Sequence, residues 1–142
     1  MSPGEQFSPP ELERWWLCFC EAPQRVWWKT FCKPGFSHCY AFRQPQSGIL
    51  IALNPLVHRV ENAIVLERAS DRITRELAAG HRVLVYERYT RVYDPARDRR
   101  VGRGLFITCA SYIAYTIGVP FSWRSTPWQL WKAALKAGAT EL

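Results

Sequence analysis

The fold of this chain is decided by residues 36–55, which read FSHCYAFRQPQSGILIALNP. Residues 36–42 and 49–53 are two short apolar and aromatic runs, and residues 44–48 connect them. This pattern is typical of two antiparallel strands joined by a hairpin. Asn54 and Pro55 end the second strand, and residues 57–66 continue in extended form. We therefore predict an antiparallel meander.

Further elements are predicted on both sides of the meander. Residues 11–20 form an apolar run whose period does not separate a helix from a buried strand, and its aromatic residues favour a strand. Residues 70–79 are predicted to be helical, with Ser70 as the N-cap and Gly80 after the last turn. Residues 83–92 alternate in polarity and predict another strand.

Two helices are predicted near the C-terminus. Cys109, Ile113 and Ile117 are spaced i, i+4, i+8, so a helix begins near Thr108 and ends at Gly118. The last helix has Pro127 at its first position and a capping box formed by Thr126 and Gln129. Strands followed by helices in this order predict an α+β fold.

The composition indicates one folded domain over residues 1–142. The chain is 48% hydrophobic and 14% aromatic, which is typical of a globular protein with a core. We divide it into a loose lead-in (1–10), a Trp-rich segment (11–35) and a core (36–142). Its seven tryptophans indicate either an aromatic-rich core or a surface that docks onto a partner.

Several classes of protein are disfavoured by what the sequence lacks. No stretch approaches the roughly 20 apolar residues that span a bilayer, and the first ten residues do not resemble a signal peptide, so we expect synthesis in a cytoplasm and no membrane span. The five cysteines are odd in number, which favours reduced thiols. Their spacing is not that of a usual zinc site, although a cluster around His38 is conceivable. With no phosphate-binding glycine loop, the sequence predicts neither a metal nor a cofactor.

The net charge of +7 comes mostly from arginine, with a cluster in residues 88–103. Arg97, Arg99 and Arg100 are candidates for binding a substrate or partner, whether phosphate, an anionic cell-wall polymer or an acidic protein face. The alternative is a solvated loop. Nucleic-acid binding is disfavoured, because no recognition helix or stacking sheet accompanies the charge.

Cys109 is the first candidate for chemistry. In the first turn of a helix, unpaired N–H groups and the helix dipole stabilise a thiolate. The same N–H groups can form an oxyanion hole. The alternative is a buried structural cysteine, since free cysteines are often buried.

A thiol nucleophile needs a base, and His38 opens the first strand of the meander. Taken alone, a histidine there is an ordinary strand position. Asn54 ends the next strand and falls at a similar height in the hairpin. Its side-chain oxygen can accept from the imidazole and fix the tautomer, which leaves the other ring nitrogen for the thiol. We therefore predict a Cys109–His38–Asn54 triad.

The order of FSHCYAF (36–42), ILIALNP (49–55) and FITCASYI (106–113) resembles the circularly permuted NlpC-type branch of the papain-like hydrolases, which includes YiiX-like proteins and the lecithin:retinol acyltransferase group. The resemblance covers residues from Phe36 onward and leaves the Trp-rich segment unmatched. It departs from the family at Ala110-Ser111, where no distinctive signature follows the cysteine, and at Cys39, which the family does not require.

The resemblance implies acyl chemistry with Cys109 as nucleophile, His38 as proton carrier and Asn54 as its orienting residue. The substrate it implies is a peptidoglycan peptide amide, cleaved by an amidase or endopeptidase. Tyr40 and Trp123 either line a pocket or fill the core. The layout also resembles products of tailed phages, so the alternative is a virion component, in the tail or head-to-tail region, that keeps a papain-like fold with or without activity. Its Trp-rich and Arg-rich surfaces would then dock other virion proteins.

Overall fold

The structure is a computed structural model that describes residues 11–22, 27–55, 60–89, 108–120, 122 and 125–142. These residues form a six-stranded antiparallel sheet and three α-helices, which confirms the α+β prediction. The strands are β1 (Leu12–Cys20), β2 (His38–Gln46), β3 (Ile49–Pro55), β4 (Val60–Val65), β5 (Arg82–Tyr89) and β6 (Thr140–Glu141). The helices are α1 (Ala69–Ala78), α2 (Cys109–Ile117) and α3 (Pro127–Lys136), with a 3-10 helix at Trp27–Phe31.

The Trp-rich segment supplies a central strand of the sheet. The strand order is β4-β3-β2-β1-β5-β6, so β1 pairs with β2 on one side and β5 on the other. A strand with both faces buried reads as a continuous apolar run, which explains why its period did not separate strand from helix. The aromatic residues indicated the correct structure.

Both faces of the sheet are covered by helices. Trp15, Leu17 and Phe19 point to the face on which α2 and α3 pack. Trp16 and Cys18 point to the opposite face, where α1 packs through Ala69 and Ile73. Trp15 and Trp16 are only 4% and 9% exposed, so this tryptophan pair is core and offers no docking surface.

The β2–β3 hairpin is tighter than the sequence indicated. β2 continues to Gln46, the turn is Ser47-Gly48, and the register shifts between Arg43 and Gln46. Gly48 has φ +80°, a conformation that favours glycine. The strands are therefore longer than predicted, and the irregular pairing lies within β2.

Helix α1 begins one residue earlier than predicted, and Ser70 is not its N-cap. The N-cap position is Arg68, whose side chain makes no capping bond. Instead the Ala69 N–H donates to Oε1 of Gln44, at 3.1 Å. The cap thus comes from a residue that is distant in sequence, which a local pattern does not reveal.

The ends of α2 and α3 agree with the sequence. Thr108 caps α2, and Gly118 ends it in the left-handed region with φ +82°. Thr126, Pro127 and Gln129 form the predicted start of α3. None of the helices in the described ranges is long and apolar enough to cross a bilayer.

Candidate active site

Helix α2 begins beside the start of β2. The helix packs on β2 and β3. Its first residue, Cys109, interacts through its sulfur with His38 and Cys39, the first two residues of β2. Cys109 keeps part of its surface accessible, whereas Cys39 is fully buried. The end of the sheet therefore brings a thiol and an imidazole together at the N-terminus of a helix.

Asn54 completes this group from the neighbouring strand. The strands β2 and β3 are antiparallel, and Ala41 pairs with Leu53. Asn54, the residue after Leu53, therefore lies toward the end of the ladder at which β2 begins with His38. Nε2 of His38 donates to Oδ1 of Asn54 at 2.9 Å. The structure thus brings the three sequence-predicted residues into one chain of contacts, with Nδ1 of His38 left for the thiol.

The surroundings of Cys109 favour its thiolate. Hydrogen bonding from the Cys39 thiol lowers the pKa of Cys109, and burial acts in the opposite direction. The hydrogen bond and positive charge of His38, together with the Cys39 main-chain N–H, lower it further. The net result is a pKa well below the ordinary value of 9.0.

The imidazole is shifted in the complementary direction. Burial by itself lowers the pKa of His38, but the hydrogen bond and charge of Cys109 and the bond to Asn54 outweigh it, so the pKa rises above 6.5. A thiolate and an imidazolium stabilise each other in this way when they are in contact. These opposite shifts favour a thiolate at Cys109 and a protonated imidazole at His38.

The first turn of α2 supplies main-chain donors beside the sulfur. Oγ1 of Thr108 accepts from the Ser111 N–H at 3.0 Å and donates to the Ser125 carbonyl at 2.6 Å. The N–H groups of Cys109 and Ala110 have no acceptor among the described residues. Donors in this position can stabilise an oxyanion that forms on a carbonyl attacked by Cys109.

A carboxylate that the sequence did not single out holds the segment before His38. Glu21 accepts from the Gly35 N–H and, at 2.8 Å, from the Ser37 hydroxyl. The Ser37 hydroxyl in turn accepts from the Ala22 N–H at 2.6 Å, and Lys29 lies 3.1 Å from Glu21. These partners are up to 16 residues apart, so no short motif reveals them. The network fixes the entry of the chain into β2 and hence the place of His38.

A second polar cluster surrounds Glu76, which is 4% exposed. Its carboxylate accepts from the Tyr40 hydroxyl, from Nδ1 of His81 at 2.6 Å and from Nε of Arg72 at 2.7 Å. The rings of Tyr40 and His38 lie 6.0 Å apart. Tyr40 is therefore part of a buried hydrogen-bond network beside the triad.

The remaining sequence-predicted residues are not placed. Arg97, Arg99, Arg100 and Trp123 lie outside the described residues, so the proposed binding role for them stays a prediction. Among the residues that the structure describes, no three His, Cys, Asp or Glu side chains are grouped so as to hold a metal ion. This includes the cysteines around His38 that the sequence analysis considered for zinc.

Comparison with protein-family models, curated proteins and solved structures found no significant match to this chain in any of the three. The resemblance to permuted papain-like hydrolases was drawn from the sequence and stays a prediction.

Proposed function

We propose that the chain is a cysteine hydrolase that uses Cys109, His38 and Asn54 to cleave an acyl bond. The observation that carries the proposal is the 2.9 Å hydrogen bond from Nε2 of His38 to Asn54, on an imidazole that interacts electrostatically with Cys109 at the start of α2. A nucleophile, a base and a residue that orients the base are the minimum set for thiol catalysis. Each comes from a different element, so the fold has to assemble them.

The arrangement supports a two-step reaction. The Cys109 thiolate attacks the carbonyl carbon, and the main-chain N–H groups of Cys109 and Ala110 stabilise the negative oxygen. The His38 imidazolium protonates the leaving group, which departs and leaves a thioester. A water molecule then attacks the thioester while His38 takes its proton, and the acid product and free thiol are released.

The proposal also includes a papain-like fold and a peptide substrate. Histidine and asparagine on adjacent strands, with the cysteine opening a later helix, is the order of the circularly permuted NlpC-type papain-like fold. A peptide amide of peptidoglycan is the substrate that this resemblance implies. The virion alternative is less well supported, because Trp15 and Trp16, which suggested a docking surface, lie in the core.

The first test is alkylation of the native protein as a function of pH, with the modified cysteines identified by peptide mapping. We expect Cys109 to react selectively below pH 7 and the His38→Ala variant to react more slowly. Cys32 is the internal control, because it is also partly exposed but has a pKa raised by burial. A Cys109 that reacts no faster than Cys32 would contradict the activated thiolate.

Turnover is then measured with peptidoglycan fragments and with a chromogenic thioester. Cys109→Ala and His38→Ala should each abolish hydrolysis while the circular dichroism spectrum stays native. Cys18→Ala is the control, because Cys18 is buried on the opposite face of the sheet. Full activity in Cys109→Ala would overturn the mechanism, whereas thioester cleavage without fragment cleavage would overturn only the substrate.

A further inference from the structure

The hydrolytic mechanism leaves one neighbouring thiol without a role. Cys39 is the second residue of β2, is 0% exposed, and belongs to the core cluster against which Cys109 packs. Cys109 packs against that cluster from the first turn of α2, and Cys39 is the neighbour with the largest effect on the pKa of its sulfur. A second thiol in contact with a nucleophilic cysteine is not needed for acyl transfer, because His38 and Asn54 already complete the triad.

The two thiols are complementary in charge state. Burial and the neighbouring Cys109 thiolate raise the pKa of Cys39 well above its ordinary value, so Cys39 keeps its proton. The pKa of Cys109 is lowered. Oxidants attack thiolates in preference to thiols, so the accessible Cys109 is the sulfur that reacts first.

We propose that Cys39 is a resolving cysteine, which captures peroxide-oxidised Cys109 as an intrachain disulfide and so protects the nucleophile reversibly. The Cys109 thiolate attacks the peroxide O–O bond and becomes a sulfenic acid, and the departing hydroxide or alkoxide takes the proton of the His38 imidazolium and leaves as water or alcohol. The Cys39 sulfur then attacks the Cys109 sulfur, the S–O bond breaks, and the hydroxide leaves with the Cys39 proton as water. Two electrons pass from the two thiols to the peroxide.

The other thiols are less well placed than Cys39. Cys18 lies on the opposite face of the sheet, in the cluster under α1. Cys20 pairs across the strands with His38, and neither Cys20 nor Cys32 belongs to the core cluster against which Cys109 packs. Direct contact decides which thiol condenses with a sulfenic acid, because the alternative is further oxidation to sulfinic acid.

The experiment treats the full chain with hydrogen peroxide and maps its cysteines by mass spectrometry before and after reduction. We expect two of the five thiols to be lost and a Cys39–Cys109 linked peptide to appear. In Cys39→Ala, Cys109 should instead accumulate as sulfinic acid, which reductant does not restore. Cys18→Ala is the matched control, since Cys18 and Cys39 are equally buried, and it should behave like the original chain.

Mapping separates this inference from the proposed function. The disulfide is observed by mass whether or not the chain hydrolyses anything; only the loss and recovery of turnover rest on the proposed function. A disulfide from Cys109 to Cys20 or Cys32, or sulfinic acid forming equally fast in the original chain and in Cys39→Ala, would overturn the role of Cys39. Folding of Cys39→Ala is checked by its urea midpoint, and Cys39→Ser serves as a second variant.

Discussion

Nε2 of His38 lies 2.9 Å from Oδ1 of Asn54, across two neighbouring strands of the β2–β3 hairpin. Because an amide oxygen can only accept, the bond requires a proton on Nε2. The bond holds the ring in one orientation and leaves Nδ1 for the Cys109 thiol. The register of the β2–β3 hairpin therefore sets the distance between His38 and Asn54.

Asn54→Ala should slow hydrolysis roughly 10- to 100-fold, which corresponds to the loss of one hydrogen bond to a charged group. The bond raises the pKa of His38. Its loss should therefore lower that pKa and move the alkaline limb of the rate profile to lower pH. Asn62→Ala is the control, because Asn62 is exposed on β4 opposite Leu53. Unchanged pH profiles in Asn54→Ala would contradict its orienting role.

The local patterns were sufficient for most elements and for placing His38 beside Asn54. The i, i+4 spacing after Cys109 and the Thr126 capping box gave both C-terminal helices, and the hairpin placed His38 near Asn54. These features depend on residues close in sequence, or on strands joined by a short turn. Hydrophobic period and turn chemistry are enough to predict them.

The features that the sequence did not reveal depend on tertiary contacts. Glu76 lies on α1, where a charged residue usually faces solvent, yet Tyr40 and His81 pair with it from other elements. Gln44 caps α1 from β2. The packing of Cys109 against the core cluster that contains Cys39 depends on which face of β2 receives α2. Each requires the packing of the helices on the sheet, which a single sequence does not encode locally.

The thiolate–imidazolium pair should make the stability of the fold rise with pH out of the acid range. Cys109 has a lowered pKa, so its contribution grows up to its ordinary value of 9.0 and is lost as pH falls through the folded value. His38 has a raised pKa, so its contribution is complete below 6.5 and is lost as pH rises through the folded value. Between 6.5 and 9.0 the two slopes oppose each other.

The measurement is the urea midpoint from pH 5 to pH 10 for the original chain and for Cys109→Ser, which does not ionise in this range. The advantage of the original chain should be smallest in acid and should grow as pH rises through the folded pKa of Cys109. A difference that is constant over the whole pH range would show that the pair is not ionised.

Glu76→Ala should destabilise the fold by about 1–3 kcal/mol, because Tyr40 and Arg72 lose their acceptor. Burial raises the pKa of Glu76, but the bonds from Tyr40, His81 and Arg72 lower it below 4.5. Its contribution is therefore present above 4.5 and lost as pH falls through the folded value, so the gap between the original chain and the variant should close in acid. Glu87→Ala, which removes an exposed ion pair with Arg14, should cost less than about 1 kcal/mol at any pH. Equal effects of the two variants at pH 7 would contradict the importance of the buried cluster.

Thr108→Ala and Thr126→Ala remove equivalent helix caps, one beside the candidate nucleophile and one on α3. Each should cost about 1 kcal/mol of stability. Only Thr108→Ala should also slow the alkylation of Cys109, because the Thr108 hydroxyl ties the start of α2 to the Ser125 carbonyl as well as to the Ser111 N–H. Thr108→Ser keeps both bonds and should restore the rate. If both caps altered the alkylation rate equally, the effect would be one of general stability, and the N-terminus of α2 would not be what positions the thiolate.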